Sequence, residues 1–168
     1  MDFILGESND DIRIDTTEEY RRIALLLAEQ SRKSIDIFSQ DLEAEIFNNK
    51  SFEAAIFALA KKHATTTIRI LVQDSTKPVQ NGHRIIRLAQ QLTSSGFIHT
   101  PAKKYSSEKS AFMVADKIGF INRAVATTRT YKATAIFKAP RPAMKLVNYF
   151  DEMWEHSTPD PQTRRIFV

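Results

Sequence analysis

Lys109–Arg123 reads KSAFMVADKIGFINR. Ala111 to Ala115 is an unbroken apolar run, Asp116-Lys117 offers a two-residue turn, and Ile118 to Ile121 is a second apolar run. That pattern predicts two adjacent strands joined by a tight turn.

Upstream of this pair, strand and helix patterns alternate. Thr67–Gln73 (TIRILVQ) and Ser34–Ser39 (SIDIFS) are β-branched, and their apolar residues are nearly continuous. Such strands belong to a sheet covered on both sides. Between them, Ser51–Ala64 places Phe52, Ala55, Ile56, Leu59 and Ala60 at helical spacing, and Asp41–Glu43 and Asn48-Asn49 punctuate a loop or short helix. Thr16 with Glu19 forms a capping-box pattern that opens a helix over Thr17–Ser31, with Tyr20, Ile23, Ala24, Leu27 and Ala28 on its buried face. Ile12–Ile14 reads as a short edge strand, and Phe3-Ile4-Leu5 as a frayed terminus or a strap. Val79–Leu92 is a third helical pattern, in which Gly82 marks a break or a close approach. Ser94-Ser95-Gly96 ends it, and Phe97–His99 returns as a strand.

Downstream, Tyr131, Ala133, Ala135 and Phe137 alternate with Lys132, Thr134, Ile136 and Lys138 and predict another strand. Pro140 and Pro142 open a final helix whose apolar face is Met144, Leu146, Val147, Phe150, Met153 and Trp154. Asp151 and Glu155 on it read as a solvated acidic face, unless Arg164 or Arg165 folds back. Arg164–Val168 could dock as a short segment. Alternating helices and strands predict an α/β fold, a mixed central sheet covered by helices with right-handed crossovers. A length of 168 residues and 42% hydrophobic content suit one domain. Residues 1–168 are therefore read as a single domain, with 1–11 and 157–168 as terminal extensions.

No apolar run approaches the eighteen or so residues of a membrane span, and the acidic start, MDFILGESNDD, does not read as a secretory signal. With no cysteine, the expected compartment is the cytoplasm. The net charge of +4 is unevenly spread. Residues 1–60 carry thirteen acidic against six basic side chains, and residues 97–145 carry ten basic against two acidic. That polarity could steer a polyanion or an acidic protein partner toward the second half, or could serve solubility and intramolecular contact.

The four glycines are too dispersed for a phosphate-binding loop, and His63, His83, His99 and His156 lack metal-ligand spacing. No serine sits in a nucleophile elbow. The chain points to no metal and no cofactor. His83 and Arg84, at a strand-to-helix junction, could hold an anion; alternatively His83 bonds a carbonyl and Arg84 pairs with an acid such as Asp74. Arg123, Arg129, Lys132 and Lys138, with Tyr131 and Phe137, form either a basic strand surface for nucleic acid or ordinary solvated strand residues.

The hairpin stretch, with the element order around it, resembles one half of a phospholipase D-type domain over roughly Arg32–Glu155. That superfamily carries H-x-K-x4-D on such a strand pair, with a small-residue pair about six residues on. Setting Asp116 as the acidic member places Lys109 in the histidine position, Ala111 in the lysine position and Asn122-Arg123 in the small positions. The family's histidine attacks phosphorus, and a second protonates the leaving oxygen. Lys109 would need its pKa lowered by roughly three units to act near neutrality, and Ala111 holds no phosphate.

GHRIIRLAQQL, AFMVADKIGFINR and YFDEMWEHSTPDP look similar to a group of bacterial phospholipase D-like domains found alone or joined to N-acetyltransferases. The resemblance implies a single half-domain without the superfamily's catalytic histidine and lysine. It also implies a noncatalytic binding or regulatory module, a back-to-back homodimer, and a vestigial cleft lined by Lys109, Asp116 and Arg123. Asp116 could instead simply turn the chain or bridge to Arg123. The alternative is a phosphodiesterase or nuclease that uses His83 as a non-standard histidine.

Overall fold

A computed structural model of the chain describes residues 2–92 and 97–163. Its elements run β1 (Ile12–Ile14), α1 (Thr17–Gln30), β2 (Ser34–Ser39), α2 (Ala44–Phe47), α3 (Lys50–Ala60), β3 (Thr67–Val72), α4 (Thr76–Gln80) and α5 (Arg84–Leu92), followed by β4 (Ile98–Thr100), a short 3-10 turn (Lys103–Tyr105), β5 (Ala111–Ala115), β6 (Gly119–Arg123), β7 (Ala133–Ile136), α6 (Pro140–Glu155) and β8 (Thr158–Pro159). They form an α/β fold around one mixed eight-stranded sheet of order β1-β7-β6-β5-β2-β3-β4-β8. β2, β3 and β4 are parallel, and every other neighbouring pair is antiparallel.

The middle of the sheet is covered on both faces, and β2 and β5 are accordingly buried along their whole length. Residues alternate between two cores. Ile35, Ile37, Ile70, Met113, Ala115, Ile121 and Ala135 face α1, α3 and α5. Phe38, Leu71, Phe112, Val114 and Phe120 face α6, meeting Ala143, Val147, Phe150 and Met153. Helix α1 begins at the predicted cap: Thr16 Oγ1 accepts from the Glu19 N–H at 3.2 Å, and the five residues read as its inner face are buried.

The Phe3–Leu5 segment is a strap. Phe3 stacks on Phe137, the Gln30 amide bonds both Leu5 N–H and Phe3 C=O, and Leu5 lies against Gly119. A Cβ at Gly119 would stand 2.5 Å from Leu5 Cδ1 and 2.9 Å from the Phe137 carbonyl.

Several elements differ from their sequence reading. The third helical pattern breaks at Gly82, as one of its two readings had it, because Gly82 takes a left-handed conformation at φ +62°, but the part before the break belongs to a separate short helix, α4, that starts at Thr76. Helix α3 stops at Ala60 rather than Ala64: the Thr66 hydroxyl bonds the Leu59 and His63 carbonyls and draws the chain out of the helix. Ile118 closes the turn through its N–H to Ala115 C=O, so β6 starts at Gly119. On α6, Met144 is 39% exposed rather than core, and Leu146 and Trp154 are only partly buried. The tail beyond residue 157 contributes β8, which pairs with β4 and has no hydrophobic signal to announce it. The expected stop at Ser94-Ser95-Gly96 and the docking of Arg164–Val168 lie outside the described residues.

Candidate functional site

The parallel strands β2 and β3 end at Ser39 and Val72. Because β5 is antiparallel to β2, it begins at that same edge, and β6 ends there. Lys109, Ala111 and Arg123 thus gather at the carboxyl edge of the sheet, where α/β folds place ligands. Asp116 lies at the far end of the hairpin, a strand length of about 17 Å away. The expected cleft lined jointly by Lys109, Asp116 and Arg123 does not form.

Asp116 serves the turn. It and Lys117 adopt φ +53° and +58°, the mirror-image turn geometry that suits the twist of a two-stranded hairpin. Its carboxylate accepts from the backbone N–H groups of Arg32, Lys33 and Ser34 at 2.8–3.0 Å, locking the hairpin tip to the loop between α1 and β2. It does not bridge to Arg123. Replacing Asp116 with Ala is expected to cost about 2–3 kcal/mol, from three N–H groups losing a charged acceptor and from alanine in a left-handed conformation. Asn should cost less, and urea midpoints of the two variants provide the check. A change under about 0.5 kcal/mol for Ala, no more than an ordinary surface substitution, contradicts this role.

The carboxyl edge is filled. The Gln40 side-chain amide donates to Glu108 C=O and Ser110 C=O at 2.9 and 2.8 Å, and that of Gln73 donates to Tyr105 C=O at 2.8 Å. Tyr149 Oη donates to Glu108 Oε1 at 2.6 Å and holds that carboxyl below its usual range. These bonds fix the approach to β5. Lys109 itself is exposed, while its carbonyl accepts from Ala126 N–H at 2.7 Å and so anchors the loop that follows β6.

Ala111 is buried and stands directly opposite Arg123 in the β5–β6 register. Their side chains share a face, and the small alanine leaves room for the guanidinium. Arg123 is itself only 2% exposed. One of its terminal nitrogens donates to Thr128 C=O and Thr130 C=O, each at 2.8 Å, and its Cζ lies over the Tyr131 ring, 4.1 Å from the centroid. Tyr131 meets Tyr20 edge-on at 5.4 Å. The Arg123 Nε and Glu43 Oε1 are shut off from solvent without a hydrogen-bond partner among the described residues. Burial, with Asp41 nearby, pushes the Glu43 carboxyl up to about 7, and Arg123 opposes the rise. Burial likewise pushes Tyr131 up to about 12. The expected basic strand surface therefore loses Arg123, Tyr131 and Phe137, all of which face the interior; Lys132 and Lys138 remain exposed.

His83 is 1% exposed. Its Nε2–H donates to Leu42 C=O at 3.0 Å, and Nδ1 accepts from Ile85 N–H at 3.1 Å, which together fix the neutral tautomer. Leu42 has φ +55°, strained for a branched side chain, and is pinned from both sides: Ser39 Oγ holds its N–H and His83 its carbonyl. Burial lowers the imidazole from its ordinary 6.5 to about 4. A depressed histidine gives stability that is present above the unfolded pKa and is lost as pH falls. About 3 kcal/mol should disappear between roughly pH 6.5 and 4. Denaturant unfolding across that range should show the loss in the wild type and a flatter profile in His83→Gln; parallel profiles would contradict it. Arg84 pairs with Glu53 at 3.2 Å instead of Asp74, whose carboxylate caps Thr76 N–H.

Two groups that the sequence reading passed over complete the picture. Arg69 bridges Asp36 and Asp151 beneath α6, at 2.8 Å to each, so Asp151 is an ion-pair partner and not merely solvated. Gln40 and Gln73 follow directly on the ends of β2 and β3, a position at which a polar residue signals edge contacts. Among the described residues, no group of three or more His, Asp or Glu is placed to hold a metal ion, and no helix is long and apolar enough to cross a membrane.

Solved structures share this fold. TrmBL2, an archaeal chromatin protein with a novel mode of DNA binding, superposes with TM-score 0.62 and 16% identity over 89% of this chain and 54% of its own. This chain thus spans about half of that protein's length. The phospholipase D family member Nuc from Salmonella typhimurium matches with TM-score 0.59 and 12% identity, over 90% of this chain and 99% of its own. Phosphatidylserine synthase from Haemophilus influenzae Rd KW20 gives 0.63 and 9%, over 99% and 42%. At such identities the likeness is one of fold, and that fold is phospholipase D-like. No curated protein sequence matches the chain. The sequence does match a family over residues 16–166, nearly the whole of the chain just described, and the protein accordingly belongs to the domain-of-unknown-function family DUF7931.

Proposed function

We propose that this protein is a phospholipase D-like domain without the hydrolytic step, serving as a noncatalytic binding module for an anionic ligand or a partner protein. The observation that carries this reading is the pairing of Ala111 with Arg123. Where the superfamily pattern has a lysine free to hold phosphate, a small side chain makes room for a buried guanidinium committed to two backbone carbonyls and a tyrosine ring. The nucleophile position holds Lys109, an exposed amine in place of an imidazole. His83, the histidine that a phosphodiesterase reading would enlist, has both ring nitrogens occupied. A DNA-binding chromatin protein of the same fold supports a role for such a scaffold in binding.

Purified protein incubated with single-stranded DNA, duplex DNA and a chromogenic phosphodiester should release product no faster than the blank, and His83→Ala should behave identically. Turnover that depends on His83 overturns the proposal in favour of a phosphodiesterase.

A further inference from the structure

One basic hollow lies on the sheet face away from Ala111 and Arg123. Arg13 on β1 stands opposite Thr134 on β7, and Thr134 stands opposite Asn122 on β6. Ile14, Ala133, Ala135 and Ile121 turn the other way into the core beneath α1. By strand alternation, Arg13, Thr134 and Asn122 therefore form a row across three strands on the opposite face. Helix α6 covers that face chiefly over β2, β5 and β6, leaving Arg13, Lys132 and Thr134 exposed. With Asp15 and Ala124 they border a hollow of about 330 Å³.

The cations here are uncommitted. Among the described residues, ion pairs engage Arg69 and Arg84 but neither Arg13 nor Lys132. Asp15, the single acid on the rim, makes no ion pair among them either. Two cations with an amide and a hydroxyl supply the charge-assisted donors that phosphate oxygens accept from. No aromatic ring lines the hollow, so nothing there stacks on an unpaired base.

We propose that the outer face of β1, β7 and β6 is a contact surface for the phosphate backbone of double-stranded nucleic acid, through Arg13 and Lys132 with Asn122 and Thr134. This rests on the binding-module reading and specifies both its ligand class and its residues. The sequence placed Lys132 in such a surface; Arg13, from the acidic first third of the chain, is brought to it only by the fold.

The test is binding of a fluorescent 20-base-pair DNA duplex to the full chain, measured by anisotropy from 50 to 200 mM salt. The wild type should bind without regard to sequence. The double variant Arg13→Ala/Lys132→Ala should bind roughly fiftyfold more weakly near 0.1 M salt, and its slope of log affinity against log salt should fall by about two. Asp15→Asn should tighten binding. Arg87→Ala, which removes one exposed charge from α5 on the other face, should change neither affinity nor slope beyond the general effect of net charge. No binding at 50 mM salt, or a double variant no weaker than Arg87→Ala, overturns this inference while leaving the noncatalytic reading intact. Cleavage of the duplex by the wild type overturns that reading instead.

Discussion

Arg69→Met is expected to destabilise the protein by about 3–5 kcal/mol at pH 7, the range seen when one partner of a buried ion pair is removed. Asp36 lies in the middle of β2 with no exposure, under α6, and its Oδ2 has no hydrogen-bond partner among the described residues. Its Oδ1 receives the Arg69 Nε–H at 2.8 Å. The same guanidinium reaches Asp151 on α6 and covers Phe150 at 4.9 Å and Trp154 at 5.7 Å. Removing it strands a carboxylate inside the sheet and unfastens the C-terminal half of the helix.

Burial already holds the Asp36 carboxyl above its ordinary range, against the pull of Arg69. An acid with a raised folded pKa costs stability as pH climbs past its unfolded value. Without Arg69 that cost grows, so the deficit of the variant should be greatest near neutrality and should shrink as acid protonates Asp36. The double variant Asp36→Leu/Arg69→Met should recover most of the loss, since a hydrophobic pair can replace a buried ionic one. Urea unfolding at pH 7 and pH 4.5 decides the matter. A single variant within 1 kcal/mol of wild type would show the bridge to be dispensable, and a double variant no better than the single would show that the stranded Asp36 carboxylate is not the source of the loss.

The second large effect is expected from Arg123→Ala, about 3–4 kcal/mol at neutral pH. The loss has three sources: two carbonyls, those of Thr128 and Thr130, left without their donor; a void beside the already small Ala111; and a tyrosine ring deprived of its cation. Lysine should rescue less than half, because an ammonium cannot lie flat on Tyr131 while serving two carbonyls. Arg123 also restrains the rise of the Glu43 carboxyl. Its removal moves that group further up, so the variant should be relatively worse at pH 8 than at pH 6. Chemical denaturation at both values checks the sign, and equal deficits would mean that the two groups do not communicate.

The sheet was readable because its central strands are nearly continuous apolar runs, its outer strands alternate, and its helices carry caps and stripes that fix their ends and inner faces: Thr16 and Glu19 set the start of α1, and Tyr20 to Ala28 set its buried side. Gly82, read as a break or a close approach, does break the third helical pattern. The errors fall where a contact between segments outweighs local pattern. Pro159 joins an edge strand that no periodicity marks.

The site was legible only in outline. Motif spacing brought out Lys109, Ala111 and Asp116, but spacing along the chain is blind to a strand's two ends. It could not show that Asp116 sits a strand length from the other two. Nor could it show that Arg123 turns inward opposite Ala111, because that depends on the β5–β6 register. Glu43 and Arg13 carry no motif at all, and their surroundings exist only once distant segments meet.

A single-turnover quench in alkaline denaturant, which preserves a phosphorus–nitrogen bond, puts the central claim to the test most directly. Protein in excess is mixed with a radiolabelled phosphodiester at pH 6.5, and any label bound covalently to the chain is counted. With Lys109 in the nucleophile position, Ala111 opposite a committed Arg123, and His83 engaged at both nitrogens, no phosphorylated protein should accumulate. A labelled adduct that disappears in His83→Ala would contradict the account.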